Sequence, residues 1–153
     1  MDYNMVSCGV AGQTGTVSAG AQDKIHAAIA ELFKAGYRRF LVALTGEAAL
    51  LFAEAVLPFR EQYPDAGIDL LIPFNEWADD QPDSSRFKRI TGQAESVNYS
   101  CEEEYEDSIE ICNRQLVGFG RCLVAVHDGK DKEMAELIGE ARAAEQNVKE
   151  VLI

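Results

Sequence analysis

Phe40-Leu41-Val42-Ala43-Leu44, followed at once by Thr45-Gly46-Glu47-Ala48-Ala49, is the stretch whose reading decides the fold. Five consecutive apolar residues without alternation suit a strand buried on both faces, as in a parallel sheet covered by helices on each side. Cys122-Leu123-Val124-Ala125-Val126 repeats the pattern near the other end of the chain. Working outward, strands are predicted near 4–8, 38–44, 67–72, 95–99, 121–126 and 148–152. Helices are predicted over 20–35, 47–62, 84–92, 103–117 and 131–145. Repeated β-α units of this kind predict a doubly wound, mostly parallel α/β domain with helices on both faces. At 153 residues the chain has the size of one domain, so 1–153 is read as a single doubly wound unit.

The helix faces agree. Ile25, Ile29, Leu32 and Phe33 recur at helical spacing, as do Met134, Leu137, Ile138 and Ala141, which gives two one-sided helices. Glu47 to Leu57 carries only Glu47 and Glu54 as charges, so this helix must be covered on more than one side, by the domain or by a second subunit. A homodimer or larger assembly is therefore expected. The longest irregular piece, Asn75 to Ser85, holds Trp77, Asp79, Asp80, Pro82 and Asp83, and is either a solvated insertion or part of a binding site.

Composition excludes several function classes. Hydrophobic residues at 47% and charged ones at 26% are globular values, and no stretch has the uncharged length of roughly 20 residues that a membrane span needs. Met1-Asp2-Tyr3-Asn4-Met5 lacks the features of a secretory signal, and the expected location is the cytoplasm. Cys8, Cys101, Cys112 and Cys122 form no C-x-x-C pair and read as reduced thiols. His26 and His127 have no cysteine or carboxylate at zinc-like spacing, so no metal site is expected. A net charge of −12 opposes a phosphate backbone despite the Arg86, Lys88, Arg89 cluster, and nucleic acid is not an expected partner.

The candidate site begins at Gly9-Val10-Ala11-Gly12-Gln13-Thr14-Gly15, after the first apolar run. A glycine-rich turn between a strand and a helix brings backbone N–H groups together where they can hold an anion or a nucleotide phosphate. The spacing is G-x-x-G-x-x-G, not the dinucleotide fingerprint, and no Lys-Ser/Thr pair makes it a P-loop. A connection chosen only for tight turning is the plain alternative.

Ligands of open parallel sheets bind beyond the carboxyl ends of the strands, where the strand order reverses. That draws in Thr45-Gly46-Glu47, Pro73 to Glu76, Ser100 to Glu104, and His127-Asp128-Gly129-Lys130. Thr45 is placed to cap a helix and Glu47 to sit in its first turn, or to meet a ribose hydroxyl. His127 reads as a satisfied strand-end residue, with acid–base work as the alternative. Glu102, Glu103 and Glu104 resemble a solvated first helical turn, and Cys8 and Cys101, placed near strand carboxyl ends, small buried side chains.

A series of landmarks carries a family resemblance. Leu44-Thr45-Gly46-Glu47-Ala48-Ala49 is followed by Tyr63-Pro64, Ile72-Pro73-Phe74, Trp77, Arg86-Phe87, Tyr105, Asn113-Arg114-Gln115-Leu116-Val117 and Val126-His127-Asp128-Gly129. Their order and spacing over nearly the whole chain resemble the YpsA-like branch of the SLOG superfamily, Rossmann-like proteins related to the LOG phosphoribohydrolases and to the Rossmann core of DprA. The resemblance implies a parallel sheet and a nucleotide-type ligand.

It also has departures. Ser7-Cys8-Gly9-Val10 stands where that branch has a T-G-H-R-like motif. Cys112-Asn113 stands for an Arg-Asn pair, and Gly129-Lys130-Asp131-Lys132 for a glycine-threonine loop. The phosphoribohydrolase glutamate has no secure equivalent, although Glu133 and Glu136 are nearby. Glycosidic cleavage needs a carboxylate and a phosphate-anchoring cation held together, so the reading leans away from an enzyme and assigns no catalytic residue.

The leading expectation is a nucleotide- or nucleotide-derivative-binding sensor module. Gly9, Gly12, Gln13, Thr14 and Gly15 would meet the phosphate. Thr45, Gly46, Glu47 and Asn113, with His127, Gly129 and Lys130, would line the pocket. No cofactor is specified beyond a nucleotide or other phosphate-containing ligand. Two alternatives stand beside it: a nucleotide hydrolase using Glu47, Glu133 or His127, and a structural partner protein with a vestigial pocket.

Overall fold

A computed structural model of the protein describes residues 6–153. The chain forms β1 (Ser7–Gly12), α1 (Ala21–Lys34), β2 (Arg39–Ala43), α2 (Glu47–Val56), β3 (Gly67–Phe74), α3 (Trp77–Asp80) and α4 (Ser84–Gln93). It continues through β4 (Ser96–Cys101), α5 (Ser108–Arg114), β5 (Cys122–His127), α6 (Lys132–Ala143) and β6 (Asn147–Leu152). The six strands make one sheet in the order β4-β3-β2-β1-β5-β6, every neighbouring pair parallel. This is the expected doubly wound architecture, with its switch point between β1 and β5. Among the described residues no helix is long and apolar enough to cross a membrane.

Two apolar layers sandwich the sheet. On one face Ile25, Ile29 and Phe33 of α1, Leu50 and Phe52 of α2, and Ile90 of α4 pack on Phe40, Val42 and Ile68. On the other, Cys112 of α5 and Leu137 and Ile138 of α6 pack on the small side chains of Ala11, Ala43 and Ala125. Most of the apolar surface of α2 is covered within the chain: Ala48, Ala49, Leu50, Phe52, Ala53 and Val56 are buried, while Leu51 and Ala55 are partly exposed. The domain thus covers most of this helix itself, and the homodimer or larger assembly stays an expectation.

Several boundaries differ from the sequence reading, for identifiable reasons. The first strand occupies Ser7–Gly12 rather than 4–8. Positions 4 and 5, and the Met1 to Met5 stretch read for export, lie outside the described residues. Gly9 to Gly12 are not a turn, because β1 pairs on both sides: Gly9 with Leu41 and Leu123, Val10 with Val42 and Val124. Cys8 consequently sits near the amino end of its strand.

The helix expected over 47–62 stops at Val56 and tightens into a 3₁₀ turn at Leu57–Arg60, where Pro58 lacks the N–H an α-helix needs. The one expected over 103–117 shrinks to α5, leaving Glu102, Glu103 and Glu104 in an irregular segment with Glu106 and Asp107. Like charges crowded at that density oppose a first turn. The Asn75 to Ser85 piece holds the short helix α3.

Glycine at position 12 is demanded by proximity. A Cβ there would lie 2.8 Å from the Ala49 backbone nitrogen and 3.0 Å from the Ala48 Cβ, whereas one at Gly15 would meet nothing within 4 Å. Gly12→Ala should therefore destabilise the protein by about 2 kcal/mol through overpacking, while Gly15→Ala should change stability by less than about 0.5 kcal/mol. Chemical denaturation of the two variants beside the parent checks the contrast.

Candidate functional site

The carboxyl ends of β1, β2 and β3 open into a cleft of about 640 Å³. Its floor is the junction between the loop after β1 and the start of α2. Gly46 is the N-cap of α2 and carries no side chain to bond the first-turn amides, so this helix begins without a side-chain cap. Thr45 was the expected cap. Instead its side chain, 2% exposed, lines the cleft with Oγ1 buried and unpartnered. Thr14 and Gly15 approach from the other side, and a Cβ on Gly46 would sit 3.1 Å from the Thr14 carbonyl oxygen. An uncapped helix N-terminus, a hydroxyl without a partner and an exposed polar loop thus converge on one small volume.

The opposite wall is apolar and aromatic. Trp77 of α3 and Phe87 of α4 border the cleft with Val17 and Ile109, and Asp83 lies on its rim. Glu47, in the first turn of α2, does not face the cleft as a bare charge: Arg86 Nη1 donates to both its oxygens at 3.0 Å. Arg86 also bonds Glu54 and Asp83, and these carboxylates, Glu54 foremost, raise its pKa above the ordinary guanidinium value. The residue read as part of a loose basic cluster is a structural tie between α2 and α4.

The crevice at the switch point is closed. Gln13, 5% exposed, donates through Nε2 to the Thr16 carbonyl at 2.8 Å and accepts through Oε1 from the Asp128 amide at 2.7 Å. Its own amide donates to the Val126 carbonyl at 3.0 Å. The side chain bridges the loops after β1 and β5, and the open cleft lies to one side, over β1, β2 and α2.

The loop after β5 uses its polar groups internally. Lys130 N–H donates to Asp128 Oδ1 at 2.8 Å, and Gly129, at φ +84°, turns the chain back so that its amide donates to His127 Nδ1 at 3.3 Å. His127 Nε2 lies 2.9 Å from Glu150 Oε1, so the ring, only 5% exposed, is satisfied at both nitrogens. At the start of α6, Asp131 Oδ1 accepts from the amides of Glu133 and Met134, filling with a carboxylate the helix end where an anion would bind.

The structure therefore brings together Thr14, Gly15, Thr45, Gly46 and Glu47. Gln13 stands behind them as a brace. Gly9 is inside the central strand against Leu116, and Gly12 packs under Ala48 and Ala49. Asn113 is on the other face of the sheet, in a crevice between α5 and α6 with Arg114, Glu133 and Glu136. His127, Gly129 and Lys130 belong to the loop beyond Gln13.

Sequence reasoning missed Val17 and Ile109 as cleft residues, because nothing distinguishes them from core residues along the chain, and it noted Phe87 only as a landmark of the family resemblance. Asp83 was signalled only by lying in a long loop, and Trp77 by that loop and as a landmark of the family resemblance. All four cysteines are free, as expected. Among the described residues no cluster of three or more candidate ligands is placed to hold a metal ion.

No protein-family profile matches the chain, and no curated protein matches it. Solved structures of DNA processing protein A do. The Helicobacter pylori protein, which binds single-stranded DNA, superposes with a TM-score of 0.67 at 14% identity, over 95% of this chain and 64% of that one. The Streptococcus pneumoniae DprA superposes with a TM-score of 0.68 at 11% identity, over 97% of this chain and 50% of that one. The chain thus spans between half and two thirds of the length of these proteins.

The likeness shows a Rossmann-like fold shared with DprA. It also corrects the exclusion of nucleic acid: a protein of this fold binds single-stranded DNA, so net charge does not remove that class of partner. Net charge is a property of the whole surface, whereas phosphate contacts are local.

The environment of His127 makes a pH-dependent prediction. The hydrogen bond from His127, aided by Arg142, holds Glu150 below its usual pKa of 4.5. A carboxylate with a depressed folded pKa stabilises the protein above its unfolded pKa, and that contribution is lost as pH falls through the folded value. Glu150→Gln should therefore be less heat-stable than the parent at pH 7, with the gap narrowing below about pH 4.5 and closing in stronger acid. Thermal unfolding of both proteins across this range measures it.

Proposed function

We propose that the protein is a nucleotide-binding module of the SLOG type, acting in the cytoplasm. Its ligand's phosphate rests against Thr14, Gly15 and the amino end of α2. The observation that carries this reading is the Thr45 hydroxyl, buried at the head of an uncapped helix and left without a partner. A buried polar group without a hydrogen bond costs free energy that folding does not recover, and a phosphate oxygen supplies the acceptor. Helix-end amides add the electrostatic term, which the chain needs because no lysine or arginine lines the cleft. Trp77, Phe87 and Val17 offer the apolar surface that a base or sugar covers. The four free thiols accord with a reducing compartment.

The candidate acid–base groups are not assembled for hydrolysis. His127 is engaged at both ring nitrogens, Glu47 is neutralised by Arg86, and Glu133 lies across the sheet. The reading is therefore binding without turnover. Single-stranded DNA is the second reading, favoured by the Helicobacter neighbour, since an oligonucleotide presents the same phosphates to the same amides.

Amide chemical shifts recorded during titration with ADP, and separately with a short oligothymidylate, test both. Saturable shifts at Thr14, Gly15, Gly46 and Glu47 are expected. Shifts confined to other parts of the chain overturn the site, and a response to the oligonucleotide alone transfers it to DNA. Thr45→Val should raise stability by about 1 kcal/mol, because it removes an unpartnered hydroxyl, yet weaken ADP binding about tenfold by removing a donor to a charged group. A variant that is both more stable and a poorer binder is the signature of a hydroxyl kept for a ligand.

A further inference from the structure

Beside the cleft, the carboxyl ends of β3 and β4 enclose a second hollow of about 360 Å³. Three aromatic side chains line it: Phe74 at the end of β3, Trp77 at the start of α3, and Tyr105, 53% exposed, on the connection between β4 and α5. Phe74 and Trp77 meet edge to face at 5.5 Å, a rigid angle of two rings. Glu104 and Glu106 line the same hollow. An adjoining one of about 210 Å³ shares Phe74 and Glu104 and adds Glu76, Asp80, Glu102 and Glu103. No lysine or arginine lines either hollow. Among the described residues none of these six carboxylates has an ion-pair partner.

A separate feature asks for a ligand here. The side chain of Trp77, 9% exposed, lines the hollow, and its indole Nε1 is buried with no acceptor. Buried tryptophans ordinarily find a partner for this N–H. The carboxylates do not converge in threes as a metal site requires, which leaves a diffuse organic cation as the complementary charge. Guanidinium and alkylammonium groups are attracted to aromatic faces and to carboxylates together.

We propose that this hollow binds a basic amino-acid side chain, free or within a peptide. Its cationic head lies among Tyr105, Glu104 and Glu106, and a carbonyl of the same ligand accepts from the Trp77 indole. The proposal does not rest on nucleotide binding in the cleft, although Trp77 and Ile109 border both.

Trp77 is the single tryptophan of the chain, so its fluorescence and its indole N–H resonance report occupancy. Titration with Nα-acetyl-L-arginine amide at low salt should give a saturable change at Trp77 that weakens as salt is added. Nα-acetyl-L-citrulline amide, the neutral analogue with the same carbonyls, should bind at least about tenfold more weakly. Glu104→Gln/Glu106→Gln and Tyr105→Ala alter exposed residues and should each weaken arginine binding about tenfold, while Tyr105→Phe keeps it.

Thr45→Val should leave arginine binding unchanged, which separates this site from the cleft. Tighter binding of an acetyl-Gly-Arg-Gly amide than of the single residue assigns a peptide as the source, and equal binding a free amino acid. Equal affinity for arginine and citrulline, an unsaturable signal, or loss of the signal in Thr45→Val overturns the proposal.

Discussion

The close approach of α2 to the end of β1 is the constraint on which the site depends. Gly12 allows Ala48 and Ala49 to rest on the strand, and Gly46 allows the loop at Thr14 to pass over the start of the helix. With side chains at either position the helix would stand off, and its first-turn amides would open to water rather than to the loop. A central strand covered on both faces imposes this economy of volume along its length. Gly9 lies under Leu116 on one side, while Ala11 meets the α5 and α6 layer. Gly9 and Gly12, which look like part of a flexible turn, are narrow rungs of a strand buried along its whole length.

Electrostatics sorts the surface into two kinds of acidic region. Around the cleft, Arg86 gathers Glu47, Glu54 and Asp83, and Lys88 pairs with Asp79 at 2.9 Å. The only basic cluster of the middle segment is thereby committed to holding α4 against α2 and α3, except for the exposed Arg89. In the proposed site, attraction for an anion would come from helix-end dipoles and hydroxyls rather than from net charge. Across Trp77, the carboxylates of the β4–α5 connection have no such partner. The net charge of −12 is thus concentrated where the chain is irregular and exposed.

The two polar bridges at the switch point show why that crevice is not the open one. Gln13 spends its amide oxygen on Asp128 and its amide nitrogen on Thr16, joining the loops after β1 and β5 across the reversal of strand order. Beyond it, His127 locks to Glu150 of the edge strand β6. Both are buried polar groups held by hydrogen bonds, which rigidifies this corner, whereas Thr45 Oγ1 and Trp77 Nε1 beside the cleft, and Asn113 Oδ1 on α5, are buried without a hydrogen-bond partner.

The sequence by itself determined the class of fold. Continuous apolar runs such as Phe40 to Leu44, alternating with amphipathic segments, admit few arrangements besides a parallel sheet covered on both faces, since the period of burial is written into the residues. It also pointed to the loops after β1 and β2, and Thr14, Gly15, Thr45, Gly46 and Glu47 do come together.

What only the tertiary structure decided is where the strands end and what the loops face. Gly9 to Gly12 extend β1 because β2 and β5 supply hydrogen bonds on both edges, a condition no local propensity expresses. Asn113, His127 and Lys130 separate from the cleft because sheet order and helix side are set by packing between segments distant in sequence. The same holds for Arg86, whose three carboxylate partners lie 3, 32 and 39 residues away: a charge reads as free along the chain until the fold brings its counter-charges to it.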